Sequence, residues 1–202
     1  PLGFTCSLTV IGEADAERVV YRSGARSGDT IWVSGSLGFA AAGLELLRQD
    51  IQPDNQRWQP FREQHLNPSA RVELGRRLGA SGLVHAMMDL SDGLATDLAH
   101  LCKQSGVGAR IMARSLPGVD ALGEAASLLG VQPERLAVCG GEDYELLFTA
   151  PSEASDHLQY IGRQCALQLT PVGTIVPGAG VILIRELADG TWPEGTTPRI
   201  LV

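Results

Sequence analysis

Apolar and polar positions along the chain switch between two spacings. Phe4 to Ile11 (Phe-Thr-Cys-Ser-Leu-Thr-Val-Ile) is rich in β-branched residues and roughly alternating, the pattern of a strand. Thr30-Ile31-Trp32-Val33-Ser34 also reads as a strand, after a turn-rich stretch, Arg22 to Asp29. From Leu37 to Gln49 the spacing becomes helical, with Leu37, Ala40, Ala41, Leu44 and Leu47 in the pattern and Ser36 placed to cap it. Asp50 to Pro68 carries Pro53, Pro60 and Pro68 among polar residues, which predicts a connection with at most a short helix, and Ala70 to Leu78 again reads as helix.

After Gly82 an apolar run, Leu83 to Met88, ends in Asp89-Leu90-Ser91-Asp92. Leu94, Leu98 and Leu101 then share the stripe of a helix from Gly93 to Gln104, with Gly106 as its stop. Further strands are predicted at Ala109 to Ala113, Tyr144 to Ala150, Val172 to Val176 and Val181 to Arg185. Gly118 to Leu129 and Ser152 to Leu167 read as helices, the second with Ser152 as cap and Glu153 in its first turn; Arg135 to Val138 is a short segment before Gly140-Gly141. Strands and helices interleave without strict βαβ regularity, so the expected class is α/β (α+β layered), a mixed sheet packed with helices. The leading strand has no hairpin partner upstream, so residues 1–14 are expected to be the terminal strand of a preceding domain and 15–202 one α/β domain.

Composition narrows the function. A chain of 202 residues is long enough to bury a core, and 24 glycines exceed ordinary usage, which points to tight turns and close backbone approaches. A net charge of -7 argues against nucleic acid as a partner, since such binding relies on Lys and Arg against phosphates. A phosphorylated ligand then needs some other counter-charge. No apolar stretch reaches the ~20 residues that span a bilayer, and no signal-like segment opens the chain, so a cytoplasmic protein without membrane contact is expected. Cys6, Cys102, Cys139 and Cys165 are far apart, which predicts reduced, mostly buried thiols.

Asp89, Ser91 and Asp92 carry the densest candidate chemistry. Helix initiation accounts for Ser91 or Asp92 as N-cap, with the other acid favoured by the helix dipole. A further acid at Asp89, if it ends a buried strand, must be paired or metal-bound, and no Lys or Arg lies nearby in sequence. Both readings stand on residue types alone: a capped helix, or a Mg²⁺ site in which carboxylates and substrate phosphates share the ion. Gly140-Gly141-Glu142-Asp143-Tyr144-Glu145 is either a solvated acidic face or a ligand-facing turn. Arg22 and Arg26 are solvated loop arginines or phosphate contacts. His65, His85, His100 and His157 show no metal-ligand spacing and read as surface or core residues, and no phosphate-loop, dinucleotide-fold or nucleophile-elbow motif is present.

Together, Asp89-Leu90-Ser91-Asp92-Gly93-Leu94, Asp97-Leu98-Ala99-His100-Leu101, Ser105-Gly106-Val107-Gly108-Ala109 and Gly140-Gly141-Glu142-Asp143-Tyr144-Glu145-Leu146 resemble the thiamine-monophosphate kinase family. Arg22-Ser23-Gly24-Ala25, Gly28-Asp29 and Ala40-Ala41-Ala42-Gly43-Leu44 agree in order and spacing. The family sits in the superfamily of aminoimidazole-ribonucleotide synthetase and selenophosphate synthetase, with two α/β domains and ATP held between them. The resemblance implies that this chain is the C-terminal portion. It implies Mg-ATP-dependent phosphorylation of thiamine monophosphate to thiamine diphosphate, incomplete in this chain alone, and a homodimer formed through the N-terminal domain. Asp89 and Asp92 would be Mg²⁺ ligands, Ser91 and Arg22 would contact ATP, and Glu142 would contact the thiamine substrate; no catalytic nucleophile is called for. Phe39 stands where the family usually has an acid, and the chain stops at Arg199-Ile200-Leu201-Val202 where the family tends to carry an aromatic tail. The alternatives are a non-catalytic binding or dimerisation domain, or a sibling enzyme with another phosphate acceptor.

Overall fold

Thr30–Ser34 divides its side chains between two separate apolar clusters, and that division sets the architecture. Ile31 and Val33 join one cluster and Trp32 the other. A computed structural model describes residues 3, 5–51 and 55–185, together with the backbone of 199–200. In it this strand, β1, belongs to one seven-stranded sheet with β2 (Ala86–Asp89), β3 (Gly108–Met112), β4 (Leu146–Ala150), β5 (Leu169–Val176), β6 (Val181–Ile184) and β7 (Arg199–Ile200). The strand order is β2-β4-β1-β5-β3-β6-β7, antiparallel throughout except for the parallel pair β3 and β6.

Helices cover both faces. The larger cluster takes Leu46 from α1 (Phe39–Arg48), Phe61 from α2 (Gln59–Leu66), Leu98 from α4 (Leu94–Ser105), Leu122 from α5 (Val119–Leu128) and Ala137 from α6 (Pro133–Cys139). The other face takes Leu74 and Leu78 from α3 (Val72–Ser81) and Leu158 from α7 (Ser155–Gln164), around Trp32 and its register partner Phe148, whose rings stack with centroids 6.3 Å apart. The result is three layers, helix on sheet on helix, the mixed α/β packing expected from the interleaved pattern.

Several local expectations need correction. Residues 5–14 form no strand and leave Leu8, Val10 and Ile11 exposed, since no strand among the described residues lies beside them to complete a ladder; Phe4 lies outside the described residues. The short helix of the 50–68 connection is α2, preceded by a 3-10 turn at Gln56–Trp58, while Pro53 lies outside the described residues. Helix α1 starts at Phe39 after Gly38 in the left-handed region, and Ser36 does not cap it. Ser152 opens a 3-10 turn rather than capping α7. The segment 135–138 is helical, within α6. Among the cysteines, all four are free but only Cys102 is buried; Cys6 and Cys139 are exposed. No helix among the described residues is long and apolar enough to cross a membrane.

Candidate functional site

Strand β2 lies at the sheet edge and hands over to α4 through Leu90-Ser91-Asp92-Gly93. Neither Ser91 nor Asp92 caps that helix: the N-cap is Gly93, at φ 99° and ψ 153°, with no side-chain hydrogen bond of its own. From the first turn the buried Asp97 carboxylate reaches back to the loop and accepts the N–H groups of Ser91 and Asp92 through Oδ2, both at 3.0 Å, which fixes the segment leading into α4. The Ser91 and Asp92 side chains, expected to do the capping, take no part in it. Asp89 is exposed rather than buried at the end of β2, so the need to neutralise a buried charge does not arise there. Asp92 is exposed as well, and neither carboxylate makes a hydrogen bond or ion pair among the described residues. Burial pushes the Asp97 carboxyl up in pKa; its two N–H donors oppose that shift, and the charges of Asp92 and Asp89 add to it.

The acidic loop before β4 divides its carboxylates in a similar way. Asp143, 2% exposed, accepts the N–H of Gly38 at 2.6 Å and that of Ala40 at 3.1 Å, so it is the cap of α1 that Ser36 was expected to supply. Desolvation raises its pKa to about 6 against the pull of those N–H groups, with the nearby Glu145 charge adding to the rise. Glu145, also 2% exposed, takes a forked pair of bonds from Arg71 at 2.8 and 2.5 Å and one from the Ser34 hydroxyl at 2.5 Å. That pairing raises the pKa of Arg71 further. Ser34 Oγ in turn accepts the Leu146 N–H, which fixes the first residue of β4. Glu142 alone of the three acids is exposed.

Backbone contacts clamp the two acidic motifs together. Glu142 N–H donates to Ser91 O at 2.9 Å, Tyr144 N–H to Leu90 O at 2.9 Å, and Leu90 N–H to Glu145 O at 2.8 Å. Two glycines make the approach possible: a Cβ on Gly141 would lie 2.5 Å from Ser91 O, and one on Gly93 would lie 2.9 Å from Gly140 O. Glu142 and Tyr144 take the left-handed region themselves, at φ 68° and 51°, a conformation that costs an L-residue energy and tends to concentrate at functional sites. From α2, Gln64 Nε2 donates to Asp143 O at 2.7 Å, and His65 Nδ1 lies 3.2 Å from Glu142 Oε2 without the alignment of a hydrogen bond.

Arg22 is exposed, one residue after Tyr21, whose carbonyl accepts the Met87 N–H of β2. Its loop is tied down further along: Ser105 Oγ accepts the Gly24 and Ala25 N–H groups, and the buried Asp29 accepts from Arg26 N–H and faces His85 Nδ1 at 2.9 Å. Asp89, Ser91, Asp92 and Glu142 thus meet at one corner, and Arg22 sits on the segment bonded to β2 beside it. No group of three metal-capable side chains is found among the described residues. Two free carboxylates still suit Mg²⁺, which is usually held by one or two carboxylates with the remaining positions taken by water and phosphates. Sequence reasoning missed Asp97, Asp143, Glu145, Arg71 and His65. Only Asp97, an acid in the first turn of α4, carried a local signal.

Residues 26–186 match the family model described as AIR synthase related protein, C-terminal domain. The chain belongs to that family. It is 42% identical over 191 residues to the thiamine-monophosphate kinase of Escherichia coli (strain K12), an alignment covering 92% of this chain and 56% of that relative. The crystal structure of thiamine-monophosphate kinase from Stenotrophomonas maltophilia K279a aligns with a TM-score of 0.73 at 40% identity, over 86% of this chain and 54% of that one. A structure of AaThiL complexed with AMPPCP and TMP aligns with a TM-score of 0.69 at 35% identity, over 87% and 52% of the two chains. The chain spans about half the length of these relatives. Phe39, where the resemblance leads one to expect an acid, packs against Phe61 edge-on, with centroids 4.7 Å apart. It serves the contact between α1 and α2 in this family member.

Proposed function

We propose that this chain is the C-terminal portion of a kinase that uses Mg-ATP to phosphorylate thiamine monophosphate, and that it completes its site together with a preceding nucleotide-binding domain in the cytoplasm. The observation that carries the reading is that Asp89 and Asp92 are exposed and take no part in helix capping, while Asp97 holds the Ser91 and Asp92 backbone of the same corner. Similarity to thiamine-monophosphate kinases over most of the chain supports the same substrate.

On this reading Asp89 and Asp92 would hold Mg²⁺, which when bound neutralises phosphate charge on both donor and acceptor. Asp97 keeps the Ser91 and Asp92 backbone fixed, so the carboxylates wait in place and no ordering cost falls on the reacting complex. Arg22 and the Ser91 hydroxyl bind the nucleotide. Glu142 offers a negative charge to the cationic thiazolium ring of the substrate. Transfer of a phosphoryl group passes through a loose transition state that depends on alignment and charge more than on a protein nucleophile, so the lack of an assigned nucleophile fits the reaction.

The test is ADP release with thiamine monophosphate by a protein carrying the preceding domain. Asp92→Asn is expected to lower turnover by about a hundredfold or more and to raise the Mg²⁺ concentration required, at unchanged folding. Full turnover by that variant would remove the corner from the mechanism. Efficient turnover by residues 1–202 alone would remove the proposed domain arrangement.

A further inference from the structure

Helix α2 is a polar helix with a firm base. Phe61 and, just before it, Trp58 are 5% and 3% exposed in the larger core cluster, and Gly43 of α1 lets the α2 backbone come so close that a Cβ there would collide with Phe61 O. From this base two neighbouring side chains reach the acidic loop. Gln64 holds the Asp143 carbonyl at 2.7 Å, and His65, its ring mostly buried at 19% side-chain exposure, brings Nδ1 to 3.2 Å from Glu142 Oε2. His65 Nδ1 is buried and has no hydrogen-bond partner; the Glu142 carboxylate lies beside it, within reach but off the line of a hydrogen bond. The carboxylate is half-exposed and sits on a residue in the left-handed conformation.

We propose that His65 is a positioning residue: with Gln64 anchoring the loop backbone beside it, the ring restrains the Glu142 carboxylate in the direction from which it meets the cationic part of the substrate. A proton on Nδ1 would need only a small turn of the ring or the carboxylate to come into line as donor, and the buried ring limits the rotamers open to Glu142. A carboxylate that is already held loses less freedom on binding, so the contribution falls on substrate affinity and leaves phosphoryl transfer and nucleotide binding alone. This inference rests on the kinase reading and on the substrate role proposed there for Glu142.

Steady-state kinetics of the intact two-domain protein test it with His65→Ala, His65→Asn and Glu142→Gln, alone and in combination. His65→Ala is expected to raise the KM for thiamine monophosphate about fivefold, with kcat and the KM for ATP within about twofold of wild type. His65→Asn, whose amide nitrogen takes the place of Nδ1, is expected to recover most of the loss. In the Glu142→Gln background His65→Ala is expected to add little, because the two side chains act as one unit. An unchanged substrate KM in His65→Ala, an Asn variant no better than Ala, or independent multiplication of the two effects would each overturn the proposal. A wild-type protein inert toward thiamine monophosphate would instead bring down the kinase reading, and the positioning role with it.

Discussion

The corner at Asp89–Asp97 and the loop at Glu142–Glu145 are both acid-rich, yet they distribute burial in opposite proportions. In the corner one acid is buried and two are exposed; in the loop two are buried and one is exposed. The buried ones have assigned structural duties: Asp97 fixes the loop before α4, Asp143 starts α1, and Glu145 ties β1 to the approach of α3 through Ser34 and Arg71. The exposed ones have none, apart from the contact of Glu142 with His65. An acidic motif is therefore a mixture, and burial with donor partners separates the carboxylates that build from those free to bind.

The sharpest way to break this division is at Glu145. Glu145→Ala strands Arg71 against a buried site and leaves the Ser34 hydroxyl without its acceptor. A loss of about 3 kcal/mol in urea unfolding is expected, at the low end for a buried pair because Arg71 keeps some contact with water. A loss below about 1 kcal/mol would place Glu145 with the dispensable surface acids.

Asp143 comes next, and its effect has a pH signature. Asp143→Ala removes the acceptor of two N–H groups at the start of α1 and is expected to cost about 2 kcal/mol. Its carboxyl is raised from 3.8 to about 6 in the folded chain, so the folded state holds this proton more tightly than the unfolded one. The corresponding stability is fully present below about pH 4 and is lost as pH rises through about 6. Asp97, also raised, acts with the same sign. Asp143→Asn should flatten the decline across that window, while an unchanged pH profile would mean that the carboxyl is not desolvated as its burial implies.

Asp97→Ala is expected to cost about 1 kcal/mol by thermal or urea unfolding, since the Ser91 and Asp92 N–H groups lie near the surface and can recover water. This case also marks where the sequence was legible. The apolar run Ile31-Trp32-Val33 and the Leu94, Leu98, Leu101 stripe mark β1 and α4 nearly to the residue, because local burial patterns determine them. The caps were misassigned because hydrogen bonds choose partners in space. Gly38 is capped from 105 positions away, and Asp97 reaches back over residues that looked like better caps themselves. Residues 5–11 carry a strand pattern yet form no strand here for a related reason: a ladder needs a neighbour, and the pattern does not supply one. The binding acids were found through their density in sequence, whereas His65 had no signal until folding carried α2 to the loop.

The smallest expected effect is the most discriminating. If Asp89 and Asp92 were caps, replacing them would cost about 1 kcal/mol each. Here neither carboxylate makes a hydrogen bond or ion pair among the described residues, and both charges act unfavourably on the buried Asp97. Asp89→Asn and Asp92→Asn are therefore expected to leave stability unchanged or to raise it by a few tenths of a kcal/mol, as relief of like-charge repulsion usually does at exposed positions. Urea unfolding without added Mg²⁺ makes the measurement, because a cation would mask the repulsion. A loss of about 1 kcal/mol or more in either variant would return these acids to the framework and erase the contrast with Asp97. Stability preserved alongside lost turnover would mark an acid kept for binding at the expense of the fold, which is what the exposed, unpaired geometry of Asp89 and Asp92 leads one to expect.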